Sequence, residues 1–263
     1  MNVCVRRCSG RASRKGLGLS QFANDVERRE RGAGPVFQSP PVVLAVIAGL
    51  ALIHAVLQYA GEDWQVWSLY AFAFIPERFG GTPFPMIPGS QVWSFLTYAF
   101  LHGSWPHLIF NCLWLLIFGT VVARYLGAAR FLLLSAISAV AGAFLTLLLH
   151  WGENYLMIGA SGAVSGLMAA AVPIMYGRGR LMAGWPTGDP LTARALGPAE
   201  LLRNRNAVIF TLVWLVITLM SGATGFTGNS FLVEGGIAWE AHIGGFIAGL
   251  AGFYLLQCGV VRS

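Results

Sequence analysis

The sequence predicts an all-α membrane protein with six transmembrane helices and both termini on the cytoplasmic side. The 263 residues are 56% hydrophobic and only 11% charged, which is too apolar for an ordinary soluble domain. The chain also contains six charge-free stretches that are each long enough to cross a bilayer as a helix. Its basic residues lie mainly between these stretches and in one tail, as in a membrane protein with several spans.

Residues 1–40 are predicted to form a disordered basic tail on the cytoplasmic side. Residues 1–34 are rich in arginine and contain few large apolar side chains. The first two dozen residues contain no acid, a composition shared by organelle transit peptides and by bacterial cytoplasmic extensions, of which we favour the second. The net charge of +6 comes from this tail and from helix ends, so we expect no nucleic-acid partner.

The six predicted spans make up a domain at 41–263. They are 41–60, 105–122, 131–149, 158–176, 207–221 and 241–261. With the tail inside, all but one of the 17 Lys and Arg residues are cytoplasmic, the exception being Arg78. The outer loops instead hold carboxylates, at Glu62, Asp63, Glu77, Glu153, Glu234 and Glu240. This asymmetry predicts cytoplasmic termini.

Two outer loops have unusual compositions. The loop at 61–104 combines aromatic residues with prolines, which predicts a structure lying in the outer membrane interface. The loop at 223–239 is rich in glycine, and we expect it to act as a gate beside the last span.

The sequence contains no metal-binding or disulfide framework. The four cysteines have no downstream Cys/His pair; they are Cys4, Cys8, Cys112 and Cys258. There is also no H-E-x-x-H motif and no pair of intramembrane aspartates. We therefore expect no metal and no cofactor.

Polar residues inside the predicted spans are candidates for function, because such residues are costly in hydrocarbon. They are His102, His107 and Asn111 at the second span, Ser161 and Ser165 in the fourth, and His242 in the sixth. The predicted topology puts all of them in the outer half of the membrane. Three spans thus bring polar groups to one depth.

Small residues around Ser161 and His242 would let the fourth and sixth spans approach closely. Ser161 lies in the small-residue run 159–166, and His242 is followed by Gly245 and Gly249 on one helical face. We expect this face of the sixth span to pack against the fourth span at the glycines at 159, 162 and 166. Close packing would bring His242 within hydrogen-bond reach of a serine.

The chemistry of this set suits acyl transfer. A serine beside an imidazole is a nucleophile with its base, whereas His107 and Asn111, four residues apart on one helical face, suit an oxyanion. The alternative is a helix-packing motif in which each histidine binds a backbone carbonyl.

These residues resemble the rhomboid family of intramembrane serine proteases over roughly residues 41–260. The matching motifs are Gly159-Ala160-Ser161-Gly162, His107 with Asn111, and Ala241-His242-Ile243-Gly244-Gly245. His102 matches a second histidine that is usual in the helix of His107. G-x-S-G alone is a weak signal, but the three motifs in this order on spans two, four and six are specific.

The resemblance implies a role for each residue. Ser161 would be the nucleophile and His242 its general base, in a dyad without an acid. His107, Asn111 and the Ser161 backbone N–H would form the oxyanion hole. His102 would be a supporting residue that organises the first loop, and the glycines at 159, 162 and 245 belong to the matching motifs. Substrates would be single-span membrane proteins, cut near the outer face in a water-filled cavity.

Three positions depart from the family pattern. Ser94 follows Trp93 where an arginine is common, and Ala123 stands where an acid is usual. We expect these changes to affect stability or lipid contact. Ser165 replaces an aromatic residue that stacks on the catalytic histidine, which predicts looser positioning of His242.

Two nearby residues compete for catalytic roles. Ser165 lies one helical turn below Ser161 and lacks the G-x-S-G context, so we favour Ser161. Glu240 precedes His242 by two residues, but residues two apart on a helix point to different faces. We therefore exclude Glu240 from the dyad.

Two other functions are compatible with a polytopic membrane protein. An inactive rhomboid-like protein would bind or escort membrane clients, but it would usually lack the serine or the histidine. A transporter is disfavoured because no predicted span contains Asp, Glu, Lys or Arg and no inverted repeat is visible. We expect a multi-pass protein of the bacterial inner membrane, with a mitochondrial or plastid location left open by the tail. The sequence does not specify an oligomeric state.

Overall fold

The computed structural model describes residues 39–81, 87–177, 194–223 and 238–257. Its helices are α1 (Pro41–Ala60), α2 (Glu62–Phe72), α3 (Ser90–Thr97), α4 (Trp105–Leu126), α5 (Ala128–Leu149), α6 (Ser161–Met175), α7 (Pro198–Arg203), α8 (Arg205–Ala223) and α9 (Trp239–Gln257). Short 3-10 turns occupy Pro76–Phe79 and Tyr98–Phe100, and α4 contains a π-helical turn at Leu115–Gly119. The described residues contain no strand beyond an isolated bridge between Phe74 and Met157, so the all-α prediction is confirmed for them.

Several predicted features lie outside the described residues. They are the tail up to residue 38, the prolines at 83 and 85, most of the gate at 223–239, and the cysteines at 4, 8 and 258. The predictions made for them stay predictions.

Within the described residues, three helices are long and apolar enough to cross a membrane: α1, α4 and α5. Helix α1 has the predicted bounds, whereas α4 continues to Leu126 and α5 already begins at Ala128. Gly127 joins these two helices with a φ of 83°, a conformation that glycine adopts without strain, so the connection needs only this one residue. Two further apolar helical segments are shorter, Ser161–Met175 and Arg205–Met220. The chain is an integral membrane protein, and its number of spans stays a prediction.

Helix α6 is the centre of the described bundle. Every residue from Val164 to Ile174 is buried, and most of these side chains are small. A helix that is apolar on all sides lies in a protein core or in a membrane, and small side chains let neighbouring helices pack closely around it. Helices α4, α5 and α9 all pack against α6, so its first residue, Ser161, lies where several helices meet.

Glycines set the spacing between α6 and α9. A Cβ added at Gly245 would overlap the backbone of Gly162, and one added at Gly249 would overlap the backbone of Gly166. Helix α9 approaches α5 in the same way, because a Cβ at Gly244 would lie 2.6 Å from the Ala141 carbonyl oxygen. The predicted small-residue stripe is therefore where backbones meet.

The segment before α3 is held by side chains that bind the last carbonyls of α2. Two guanidinium nitrogens of Arg78 donate to the carbonyl oxygens of Tyr70, at 2.5 Å, and Ala73, at 2.8 Å. Trp93 donates to the Ala71 carbonyl at 2.7 Å, and Thr97 donates to the Phe72 carbonyl at 2.9 Å. These bonds satisfy the orphan acceptors of a helix C-terminus and fix the loop in front of the bundle.

Arg78 is buried in this loop, at 4% exposure, although the charge pattern assigned it only to the outer side. Its guanidinium and the indole N–H of Trp93 bind neighbouring carbonyls at the end of α2, those of Tyr70 and Ala71. Ser94 itself is fully buried and Ala123 is 5% exposed, so both departures lie inside the protein.

Candidate active site

The turn that leads into Ser161 is fixed from two sides. Phe74 and Met157 exchange backbone hydrogen bonds of 3.1 and 2.9 Å, and the Gly159 N–H donates to the Tyr98 carbonyl at 3.0 Å. Gly159 has a φ of 118°, which only glycine adopts readily. The helix therefore begins at Ser161 and not at residue 158 as predicted.

The Ser161 hydroxyl and backbone N–H lie at the N-terminus of α6. The N–H groups of a helix's first turn have no partner within the helix, and the helix dipole makes this end electropositive. Ser161 is half-buried, whereas Ser165, one turn further, is 6% exposed. Of the two serines, Ser161 has the greater access to a cavity or to water.

His107 and Asn111 face the turn before Ser161. A Cβ added at Gly159 would lie 2.7 Å from His107 Nε2 and 3.8 Å from Asn111 Nδ2. The Asn111 amide donates one hydrogen bond of 3.1 Å to the His107 carbonyl, and an amide nitrogen carries a second N–H. The structure thus brings together the pair that the i,i+4 spacing suggested. Gly159 contacts this pair and not the last helix, so its assignment to the glycine stripe is wrong.

His242 reaches the same region from α9. Its neighbour Ala241 has its carbonyl oxygen 3.4 Å from the Cβ position of Gly162 and 2.7 Å from that of Gly142. Gly245, one turn after Ala241, is against the Gly162 backbone. His242 is half-buried and lies within electrostatic range of His107. The predicted dyad residues are therefore on backbone-close turns of α6 and α9.

His102 supports the nucleophile turn directly. Its Nε2 accepts a hydrogen bond of 3.5 Å from the Ala160 N–H, and its ring centroid is 5.1 Å from that of His107. Since Nε2 accepts, the proton of a neutral ring is on Nδ1. The role predicted for His102, to organise the first loop, stays a prediction; its hydrogen bond with the Ala160 N–H also links it to the residue before Ser161.

His54 is a residue that the sequence analysis missed. It lies in α1, is 2% exposed, and packs edge-on against Trp105, with centroids 4.6 Å apart. Its ring is also 6.5 Å from that of His102. A histidine inside a predicted span is itself a functional signal, and this rule would have found it.

Glu240 binds away from His242. Its Oε1 lies 2.7 Å from Nε2 of His150, at the end of α5, and its Oε2 has no hydrogen-bond partner among the described residues. This agrees with its exclusion from the dyad. Glu240 lies in the first turn of α9, one residue before the predicted sixth span, and is 3% exposed.

Comparison with known proteins agrees with these motifs. The family profile described as "Rhomboid domain" matches residues 89–258. The chain is 24% identical over 217 residues to "Rhomboid protease GlpG" of Yersinia pestis (strain Pestoides F), covering 81% of this chain and 62% of that protein. It is 25% identical over 213 residues to the protein of that name from Photorhabdus laumondii, covering 81% of this chain and 60% of the relative. The chain thus spans less than two thirds of the length of these curated relatives.

Proposed function

Because the chain belongs to the rhomboid family, whose profile covers residues 89–258, we propose that it is an intramembrane serine endopeptidase. One observation carries the proposal. The Ser161 end of α6 meets His107 and Asn111 of α4 on one side, through Gly159, and the first turns of α9 on the other, through Gly162. The elements that carry the proposed nucleophile, base and two donors meet at this helix terminus, which supports the proposal.

In the proposed reaction, the Ser161 hydroxyl attacks the carbonyl carbon of the scissile bond while His242 takes its proton. The oxygen of the tetrahedral intermediate becomes negative and accepts hydrogen bonds from the Ser161 N–H, Asn111 Nδ2 and His107 Nε2. His242 then returns the proton to the leaving amine, and an ester to Ser161 remains. Water, deprotonated by His242, attacks this ester; His242 gives the proton to the Ser161 oxygen as the ester bond breaks, and the second product leaves with a new carboxyl group.

Two features of the surroundings support this chemistry. The electropositive end of α6 favours the negative charge of the intermediate. His102 accepts from the Ala160 N–H and so keeps the turn before Ser161 in place. Neither feature requires an acidic residue as a third member beside Ser161 and His242. Glu240, the acid nearest to His242 in sequence, binds His150 instead.

The proposed topology has six spans with both termini in the cytoplasm of a bacterial cell. Residues 1–40 are the basic tail and 41–263 the protease domain in the inner membrane. The apolar helices and the distribution of basic residues support this arrangement. Substrates are single-span membrane proteins whose outer end enters the site from the bilayer.

The test is cleavage of a single-span reporter by purified protein in liposomes. The variants are Ser161→Ala, His242→Ala and, as matched control, Ser165→Ala, which removes the same hydroxyl one turn away. The proposal predicts cleavage by the native chain and the control, and none by the other two. Loss with Ser165→Ala alone would move the nucleophile. A native chain that neither cleaves nor reacts with a fluorophosphonate would instead be an inactive protein that binds membrane clients.

A further inference from the structure

A cluster of ionisable side chains joins the end of α5 to the beginning of α9, outside the proposed dyad. The His150 ring lies between two carboxylates: Nε2 is 2.7 Å from Glu240 Oε1 and Nδ1 is 2.7 Å from Glu153 Oε2. Tyr155 stacks on the ring, with centroids 4.5 Å apart and planes inclined by 6°. Glu240 is 3% exposed, whereas the Glu153 side chain is 62% exposed.

This geometry fits a charged imidazole. An ionised carboxylate only accepts hydrogen bonds, so both ring nitrogens must donate, and a histidine that donates twice is an imidazolium. Burial lowers the pKa of His150, but the hydrogen bonds and charges of Glu240 and Glu153 outweigh this and raise the pKa above its ordinary value. The inner partner, Glu240, is buried, and a buried charge needs its counter-ion.

The pair lies at two helix ends where its charges are favourable. His150 is the residue that ends α5, where a cation suits the helix dipole, and Glu240 lies in the first turn of α9, where an anion does. Between these ends the two backbones touch, at Gly142 beside Ala241 and at Ala141 beside Gly244. The ion pair therefore locks one particular register of α9 against α5.

We propose that the His150–Glu240 ion pair is a positioning element for the catalytic base, holding the first turn of α9 so that His242 reaches Ser161. Glu240 precedes His242 by two residues, so any shift of the first turn moves both side chains together. The inference rests on the proposed protease function. Neither residue touches the reacting atoms; they act through the helix.

The ion pair gives the base a pH dependence that does not come from the dyad itself. The ionisable groups around His150 are Glu153 and the stacked Tyr155 from its own connection, and Glu240 from α9. Because the pKa of His150 is raised, the pair is complete at low pH and is lost as the pH rises through that pKa. Cleavage should then fall as the pH rises through the raised pKa of His150.

The experiment measures kcat and KM for the reporter across pH 6 to 9, together with thermal unfolding. Glu240→Gln and His150→Gln should fold and lower kcat by at least about tenfold at neutral pH, with little change in KM. Glu153→Gln is the matched control, because it removes the exposed carboxylate from the same ring and leaves the His150–Glu240 pair in place. It should cleave like the native chain at pH 6, and its activity should decline at a lower pH than that of the native chain, because one of the two carboxylates that raise the pKa of His150 is gone. His150→Lys supplies a cation that stays charged through this range, so it should restore the kcat lost in His150→Gln and remove the decline with rising pH.

Each outcome decides the matter. A folded Glu240→Gln protein with native kcat and native pH profile overturns the positioning role while leaving the protease proposal intact. A loss of kcat that only follows the folded fraction, or that His150→Lys does not rescue, also overturns it. A native chain without cleavage overturns both proposals.

Discussion

The two sides of Ser161 are built on different principles. Towards α9, contact is made by backbone against backbone at Gly162 and Gly245. Towards α4 and the loop, contact is made by side chains, with His102 accepting from Ala160 and His107 facing Gly159. On the α9 side, the lack of side chains at the glycines lets the two backbones come close and so sets the distance between the helices. On the α4 side, side-chain contacts such as the His102–Ala160 hydrogen bond orient the turn before Ser161. A side chain added at a glycine between α6 and α9 should therefore prevent the two helices from packing. Removing one side chain on the α4 side should instead cause only a partial loss of activity or stability.

The largest effect is expected from Gly245→Val. Its side chain would occupy the position of the Gly162 backbone, so α9 cannot dock without moving. We expect a destabilisation of more than about 3 kcal/mol and cleavage below detection. The control is Gly49→Val in α1, where a Cβ meets nothing within 4 Å. Unfolding in detergent and reporter cleavage measure both; equal behaviour of the two variants would contradict close α6–α9 packing.

The next largest effect is expected from Asn111→Ala in α4, where contact with the Ser161 turn is made by side chains. It removes the proposed oxyanion donor while leaving the helix spacing intact, so kcat should fall by about 10²–10³-fold. Unfolding should stay near the native value, in contrast to Gly245→Val. Cys112→Ala, the half-buried neighbour, serves as control. A variant that kept native kcat would remove Asn111 from the oxyanion hole.

A smaller effect should follow from Arg78→Gln, which changes the loop between α2 and α3. The buried guanidinium binds the carbonyls of Tyr70 and Ala73, and hydrogen bonds from a charged group are worth about 1.5–3 kcal/mol each. We expect lower thermal stability with a modest loss of kcat. Arg78→Lys, which retains the charge without the planar fork, should lie between the two. A native melting temperature for Arg78→Gln would mean that the loop does not depend on this residue.

The smallest effect is a pH dependence of stability. Since the folded-state pKa of His150 is raised, its contribution is fully present below the unfolded value of 6.5 and is lost as the pH rises through the folded value. Melting temperatures of the native protein should therefore decline gently over that window. Glu240→Gln should flatten the curve, and a native curve without any decline would argue against a charged His150.

Sequence reasoning reached the site through local spacing. The i,i+4 relation placed His107 and Asn111 on one face, and the glycine stripe of α9 identified where helices touch. What it missed depends on distant partners. Arg78 looks like a loop cation until the end of α2 is seen beside it, and Glu240 looks like a loop acid until His150, 90 residues away in sequence, is known to face it. The start of α6 at Ser161 follows from the backbone of Gly159, which hydropathy does not report.

The account depends most on His242 activating Ser161, and mass spectrometry of a fluorophosphonate adduct tests this directly. Native protein and His242→Ala in liposomes would be treated with the probe, digested, and mapped. We predict an adduct on Ser161 in the native protein and almost none in His242→Ala. An adduct on Ser165, or equal labelling of Ser161 without His242, would contradict the proposed dyad.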